Sequence, residues 1–208
     1  MPVPASELAA RLAARLCHDF ANPAGGIQSG LDFLADPTSP IPREDALTLV
    51  RESARTLSAQ LAFARVAFGA GEETFAGRAL EELARPLFES IRPSLAWLVE
   101  EPELSGAPAR VLLNLVQMAG AALATEGEVR ASAALSEEGW RLCVDAVGSR
   151  AKLHPEVQAG LDGRPRSEGL AGRWVQGAFV HAMTVSAGGS VSVSADVDAV
   201  RFTATLPA

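Results

Sequence analysis

Cysteine is nearly absent. The 208-residue chain has only Cys17 and Cys143, which excludes a disulfide framework and a cysteine-built metal cluster. Cys17 directly precedes His18, and neighbouring side chains on a helix diverge by about 100°, so the two are badly placed to share a metal. Both cysteines are expected to be small reduced side chains in the core or at its border. Basic charge is also short. Lys152 is the only lysine, and 18 basic against 25 acidic residues leave a net charge of -7. Nucleic acid and anionic membrane both demand a basic face, so neither is an expected partner. Long apolar runs are missing too. Arg65 interrupts 61–70, and Asn114 and Gln117 interrupt 111–125, well short of the ~20 apolar residues of a membrane span. No basic-then-apolar leader opens the sequence, so a soluble cytoplasmic protein is expected. What the chain does have is 48% hydrophobic residues, enough to bury a core in one medium domain or two small ones.

Apolar periodicity predicts a long first helix over 5–35, with Leu8, Leu12, Leu16, Ile27, Leu31 and Leu34 on its leucine side. Pro37, Pro40 and Pro42 then stop it, since none can continue a helix. A second helix is predicted over 43–68, with Glu44 and Asp45 in its favourable first turn. Its Leu47, Val50, Ala54, Leu57, Leu61, Ala64 and Phe68 alternate spacings of three and four, a sustained heptad seam. One hairpin cannot bury a stripe of that length, whereas two can, as a four-helix bundle in a homodimer. Domain 1–71 is therefore read as a dimerising hairpin. Domain 72–208 reads as helices near 77–90, 107–125 and 170–187, with a shorter one after Pro155. Strands are expected near 95–99, 128–135, 140–147, 190–195 and 199–206. The expected fold is α+β, the second part being a two-layer α/β sandwich with mostly antiparallel strands.

On the first helix, Arg11, Arg15, His18, Asn22, Gly25 and Ser29 form a polar, small-residue face opposite the leucines. A histidine on such a face offers a neutral imidazole nitrogen as a nucleophile near neutral pH. Asp19 beside it can orient the ring and fix its tautomer. Arg11 and Arg15, two turns and one turn before it, can attract an acidic partner or hold a phosphoryl group. Gly25 leaves room for another protein to approach. An ordinary solvated polar face has the same pattern, so the wheel alone leaves both readings open. Pro23 and the following glycines either bend the helix or end it, and the leucine stripe resumes in phase beyond them.

The run His18-Asp19-Phe20-Ala21-Asn22-Pro23 resembles the H-box of sensor histidine kinases: a phosphoacceptor His, an acidic residue, and Pro at +5. With its flanks, Leu12–Ile27 and Gly30–Leu34, it resembles the ChpT-type histidine phosphotransferases more specifically. The likeness extends over most of the chain. Residues 72–208 look like a degenerate kinase ATPase domain of the Bergerat (GHKL) type. Val111–Ala119 resembles its N-box, with Met118 where a second asparagine would help hold Mg²⁺, and a thioether is a poor ligand for a hard cation. Asp145-Ala146-Val147-Gly148 departs from the adenine-binding box. Residues 188–206 resemble the closing hairpin, and 168–172 stand in place of the glycine-rich lid.

The resemblance implies a phosphorelay histidine phosphotransferase. His18 would carry a phosphoryl group between receiver-domain aspartates of a hybrid histidine kinase and of response regulators. Asp19 would assist, and Arg11, Arg15, Asn22, Pro23 and Gly25 would support the site or dock the receiver. No ATP and no cofactor would be needed, the receiver supplying Mg²⁺. The alternatives are a histidine kinase with a divergent ATP site and a dimeric receiver-binding protein or phosphatase, since the Asn22 amide could orient a water. His154 is expected to be an exposed loop residue and His181 a packed or partly exposed residue of the long C-terminal helix, and Arg164 and Arg166 solvated loop charges.

Overall fold

The computed structural model describes residues 4–89, 91–165 and 171–208. Two long helices, α1 (Ala5–Ala35) and α2 (Arg43–Ala67), form an antiparallel hairpin. In the turn between them the Asp36 carboxylate accepts hydrogen bonds from the Thr38 backbone N–H (2.8 Å) and hydroxyl (2.7 Å), which hold its pKa below the ordinary range. There follow β1 (Phe75–Ala76), α3 (Gly77–Glu89), β2 (Ser94–Trp97), β3 (Glu103–Leu104), α4 (Gly106–Ala122), β4 (Glu128–Ser136) and β5 (Gly139–Val147). The chain ends with α5 (Pro155–Leu161), α6 (Ala171–Ser186), β6 (Ser190–Asp196) and β7 (Ala199–Leu206). Strands β1 and β3 make a small separate pair. The main sheet runs β2-β4-β5-β7-β6, with β2 parallel to β4 and every other pairing antiparallel. This is the expected α+β architecture.

Strand alternation sets the layers. Trp140, Leu142, Val144 and Ala146 of β5 and Val200, Phe202, Ala204 and Leu206 of β7 are buried, as the two-residue period requires of strands with one face against helices. The other face carries the Arg201–Asp145 ion pair (2.6 Å). Helix α4 is apolar nearly all round and is the centre of the core, packing against the sheet and against α2, α3 and α6. Phe63 and Ala67 of α2 belong to the same buried cluster, so the core is continuous from the hairpin into the α/β layers.

Helix α1 turns one face inward along its length, and that face meets two neighbours in turn. Leu8 and Leu12 pack against Trp174, Val175 and Ala178 of α6. Arg15 and Asp19 continue that face at spacings of three and four. Pro23, Gly26 and Gly30 carry the same face on toward the C-terminus of the helix, where it meets α2: a Cβ on Gly30 would lie 2.6 Å from Val50 Cγ2. Helix α1 continues through Pro23, and Pro23 and Gly30 are its buried residues. Pro23 is thus a packing residue of the hairpin and not part of an outer docking face. Cys17 is exposed, contrary to the core or border position expected for it, because it lies on the outward side of the helix, away from α2 and α6.

Candidate functional site

His18 lies near the middle of α1 with 78% of its side chain exposed. Its Nδ1 is 3.7 Å from Asp19 Oδ1, within ion-pair range and too long for a hydrogen bond. Asp19 Oδ2 in turn accepts from Arg15 Nε at 3.5 Å, and Arg15 Nη1 donates to the Gly172 carbonyl of α6 at 2.7 Å. Arg15 therefore joins the histidine's neighbour to the α/β layers. With 17% of its side chain exposed, it is not the free surface cation that the helical wheel suggests, because the Leu8–Leu12 face turns it toward α6. Burial lowers its pKa, and the charge and hydrogen bond of Asp19 raise it again in part.

His18 borders a cleft of about 500 Å³ lined by Arg11, Ala14, Arg15 and Asp19 from α1 and by Ala171, Gly172 and Arg173 from α6. Among the predicted site residues, the structure thus brings together His18, Asp19, Arg11 and Arg15. Asn22 joins Arg15 and Asp19 on a second cleft of about 840 Å³, between the hairpin and α3 and α4, with Phe20, Gln60, Phe63 and Arg92. Gly25 is exposed with nothing within 4 Å of a Cβ built on it, so the open approach expected there exists within this chain.

Arg173 is the cleft residue that sequence reasoning missed. The only signal was a cation at the third position of a helix, where the dipole disfavours one. Its Nη1 donates to His154 Nδ1 at 3.1 Å. His154 is a half-buried N-cap residue of α5 and not the exposed loop histidine expected, since α6 packs over it. Burial first and then Arg173 lower its pKa, Glu156 opposes them, and Lys152 adds the smallest lowering effect. His181 is a partly buried helix residue, within the expectation, its Nδ1 donating to the Leu161 carbonyl at 2.8 Å. Arg164 is exposed and paired with Asp162 at 2.6 Å. Arg166 and residues 168–170 of the expected lid lie outside the described residues.

In the stretch resembling an N-box, Asn114 is fully buried. Its Nδ2 donates to the Ala67 carbonyl (2.8 Å) and the Arg110 carbonyl (2.9 Å), and its Oδ1 accepts from Gln176 Nε2 (3.2 Å). Arg110 donates to the Gly71 carbonyl. These side chains tie the end of α2 and the following segment to α4. Met118, Lys152, Leu153, His154, Arg173 and Phe202 surround a residual cavity of about 40 Å³. Among the described residues no cluster of His, Cys, Asp or Glu is arranged to hold a metal, and no helix is long and apolar enough to cross a membrane.

Comparison with known proteins agrees with this fold. The chain is 29% identical over 204 residues to the protein phosphotransferase ChpT of Brucella abortus (strain 2308), covering 96% of each. It superposes on the structure of a bacterial phosphotransferase with a TM-score of 0.86, at 27% identity over 98% of both chains. The histidine kinase AdeS of Acinetobacter baumannii shares the fold, with a TM-score of 0.50 and 16% identity over 91% of this chain and 97% of that one. The family pattern of the histidine phosphotransferase C-terminal domain matches residues 77–199. With that domain covering more than half of its length, the chain belongs to the histidine phosphotransferases.

Proposed function

We propose that this phosphotransferase carries a phosphoryl group on His18, taking it from a receiver-domain aspartyl phosphate of a hybrid kinase and passing it to the receiver aspartate of a response regulator. The observation that supports this most is the position of His18: an exposed imidazole, beside a carboxylate, on the rim of a cleft edged by guanidinium groups. The Asp19 carboxylate on the Nδ1 side favours the proton at that nitrogen and leaves the Nε2 lone pair as the nucleophile. In the forward step a P–N bond forms at Nε2, the P–O bond to the donor aspartate breaks, and the carboxylate leaves. The second receiver reverses those bonds. The phosphotransferase orients the imidazole and supplies positive charge, and the receiver brings Mg²⁺ and most of its own phosphoryl site.

Independence from ATP is part of the same reading. Met118, in the stretch that resembles an N-box, borders a cavity of about 40 Å³, where pockets for small molecules run to roughly 300–1,000 Å³. The Asn114 amide is committed to protein partners. The active form is a homodimer in which a second hairpin covers Leu31 and Leu61, each 48% exposed in one chain. Incubating the purified protein with a phosphorylated receiver should place acid-labile, base-stable phosphate on His18, and labelled ATP with Mg²⁺ should place none. Labelling by ATP alone would overturn the phosphotransferase-only reading, and transfer that persists in His18→Ala would overturn the phosphohistidine.

A further inference from the structure

Three guanidinium groups line the cleft beside His18, and they differ in what neutralises them. Arg11 gives Nε and Nη2 to the Glu7 carboxylate at 2.9 and 2.7 Å. Arg15 is engaged by Asp19 and the Gly172 carbonyl. Arg173 spends one of its five side-chain donors on His154 Nδ1, and among the described residues no carboxylate pairs with it. The imidazole is a neutral acceptor, because burial and the cation itself keep His154 deprotonated to lower pH than usual. A half-buried cation with a neutral partner is costly until an anion reaches it.

Arg173 is also held in place from both sides along the chain. The preceding Gly172 carbonyl is bonded to Arg15 of α1. The following Trp174 is buried, and its indole N–H donates to the Arg164 carbonyl at 3.0 Å. The backbone at Arg173 is thus anchored to both the phosphohistidine helix and the α/β core, and its side chain lines both the His18 cleft and the small cavity beneath it. A preorganised donor of this kind stabilises charge without reorganising as the charge develops.

We propose that Arg173 is a catalytic residue of the phosphotransfer centre, binding the equatorial oxygens of the phosphoryl group on its way to or from His18, with His154 as its positioning residue. The α/β domain then contributes charge to chemistry centred on α1, over and above any surface it offers to a receiver. This deepens the phosphohistidine reading and rests on it. Charge in the transfer transition state is spread over the three equatorial oxygens, and a guanidinium fork matches two of them in a way a lysine ammonium does not.

The test has a binding arm and a rate arm. In the binding arm, inorganic phosphate is titrated into wild type, Arg173→Ala, Arg173→Lys and Arg11→Ala, and the ring signals of the three histidines are followed by NMR. His181, bonded inside the fold, reports that each variant is folded. The expected result is a saturable shift of His18 in wild type, at least about threefold weaker in Arg173→Ala, with a smaller loss in Arg11→Ala, whose cation Glu7 already pairs. No saturable shift in wild type, or equal affinity in Arg173→Ala, overturns the proposal. In the rate arm, transfer from a phosphorylated receiver is measured against receiver concentration. Arg173→Ala should lower the maximal rate on the order of 100-fold, as loss of a preorganised donor does, with half-saturation nearly unchanged. Arg173→Lys and His154→Ala should fall between, and His154→Gln, which keeps an acceptor, should recover part of the loss. A change in half-saturation alone would make Arg173 a docking residue and overturn the proposal. If wild type never forms phosphohistidine, the proposed function fails and the phosphate titration still decides whether Arg173 makes an anion site. If phosphohistidine forms and Arg173→Ala transfers normally, only the Arg173 proposal fails.

Discussion

His154 shows how one side chain reports on the whole site. It is packed under α6, with Arg173 and Lys152 lowering its pKa and Glu156 opposing them, and burial is the largest cause. Its ring should therefore titrate below the ordinary 6.5. In Arg173→Ala the midpoint should rise and still stay under that value, because burial persists. Since the folded pKa is the lower one, the unfolded chain binds more protons as pH drops from the unfolded value toward the folded one. Stability should fall across that window and level off below it, and His154→Gln should remove this part of the slope. Thermal midpoints between pH 7.5 and 5, with NMR titration of the ring, check both points, and a midpoint at or above 6.5 would contradict them. His18 and Asp19 were legible in the sequence because adjacent residues in an H-box-like run need no tertiary knowledge. Arg173 was not, because its partners lie on α5 and α1, far from it in sequence.

At the scale of elements, periodicity places both hairpin helices to within a residue, because each has a long stripe with capping prolines before or after it. Strands β1 and β3 went unforeseen, since two residues carry no period. The helical wheel also gives the angles between side chains without saying which neighbour each face meets. Arg15 and Pro23 were therefore assigned to an open face, when one leans on α6 and the other turns toward α2. The glycines of α1 test that division. Gly30 has Val50 Cγ2 and the Ala46 carbonyl within 2.6 and 3.0 Å of a built Cβ, whereas Gly25 has nothing within 4 Å. Gly30→Ala should cost about 1–3 kcal/mol through overpacking, and Gly25→Ala should gain roughly 0.5–1 kcal/mol from helix propensity. Chemical denaturation of the two variants measures this. Equal effects would mean that the α1–α2 contact is not as close as described. If Gly25→Ala is stable yet slow in transfer, Gly25 lies where the receiver approaches.

The whole molecule is tied together at the junction of hairpin and sheet, and that tie uses a residue the sequence assigns to a nucleotide motif. Asn114 joins the Ala67 carbonyl of α2 to Gln176 of α6. Asn114→Ala should leave a buried carbonyl without its donor and cost about 1–3 kcal/mol, read as a lower denaturation midpoint with the cooperativity of unfolding kept. The apolar seam left open along the hairpin is where the proposed second chain would pack. Leu61 lies in the heptad seam of α2, and with Leu31 of α1 it is 48% exposed in one chain, an arrangement that loses apolar burial unless another surface covers it. A charge at position 61 should cost the single chain little, since that side chain already reaches solvent, and should act mainly on association. Leu61→Glu is therefore expected to sediment as one chain at micromolar concentration where the wild type sediments as two, with the α/β layers still folded by circular dichroism. The wild-type melting temperature should rise with protein concentration, and that of the variant should not. A wild type that sediments as a single chain, or a variant that stays paired, would rule out the four-helix bundle as the form in which His18 is presented.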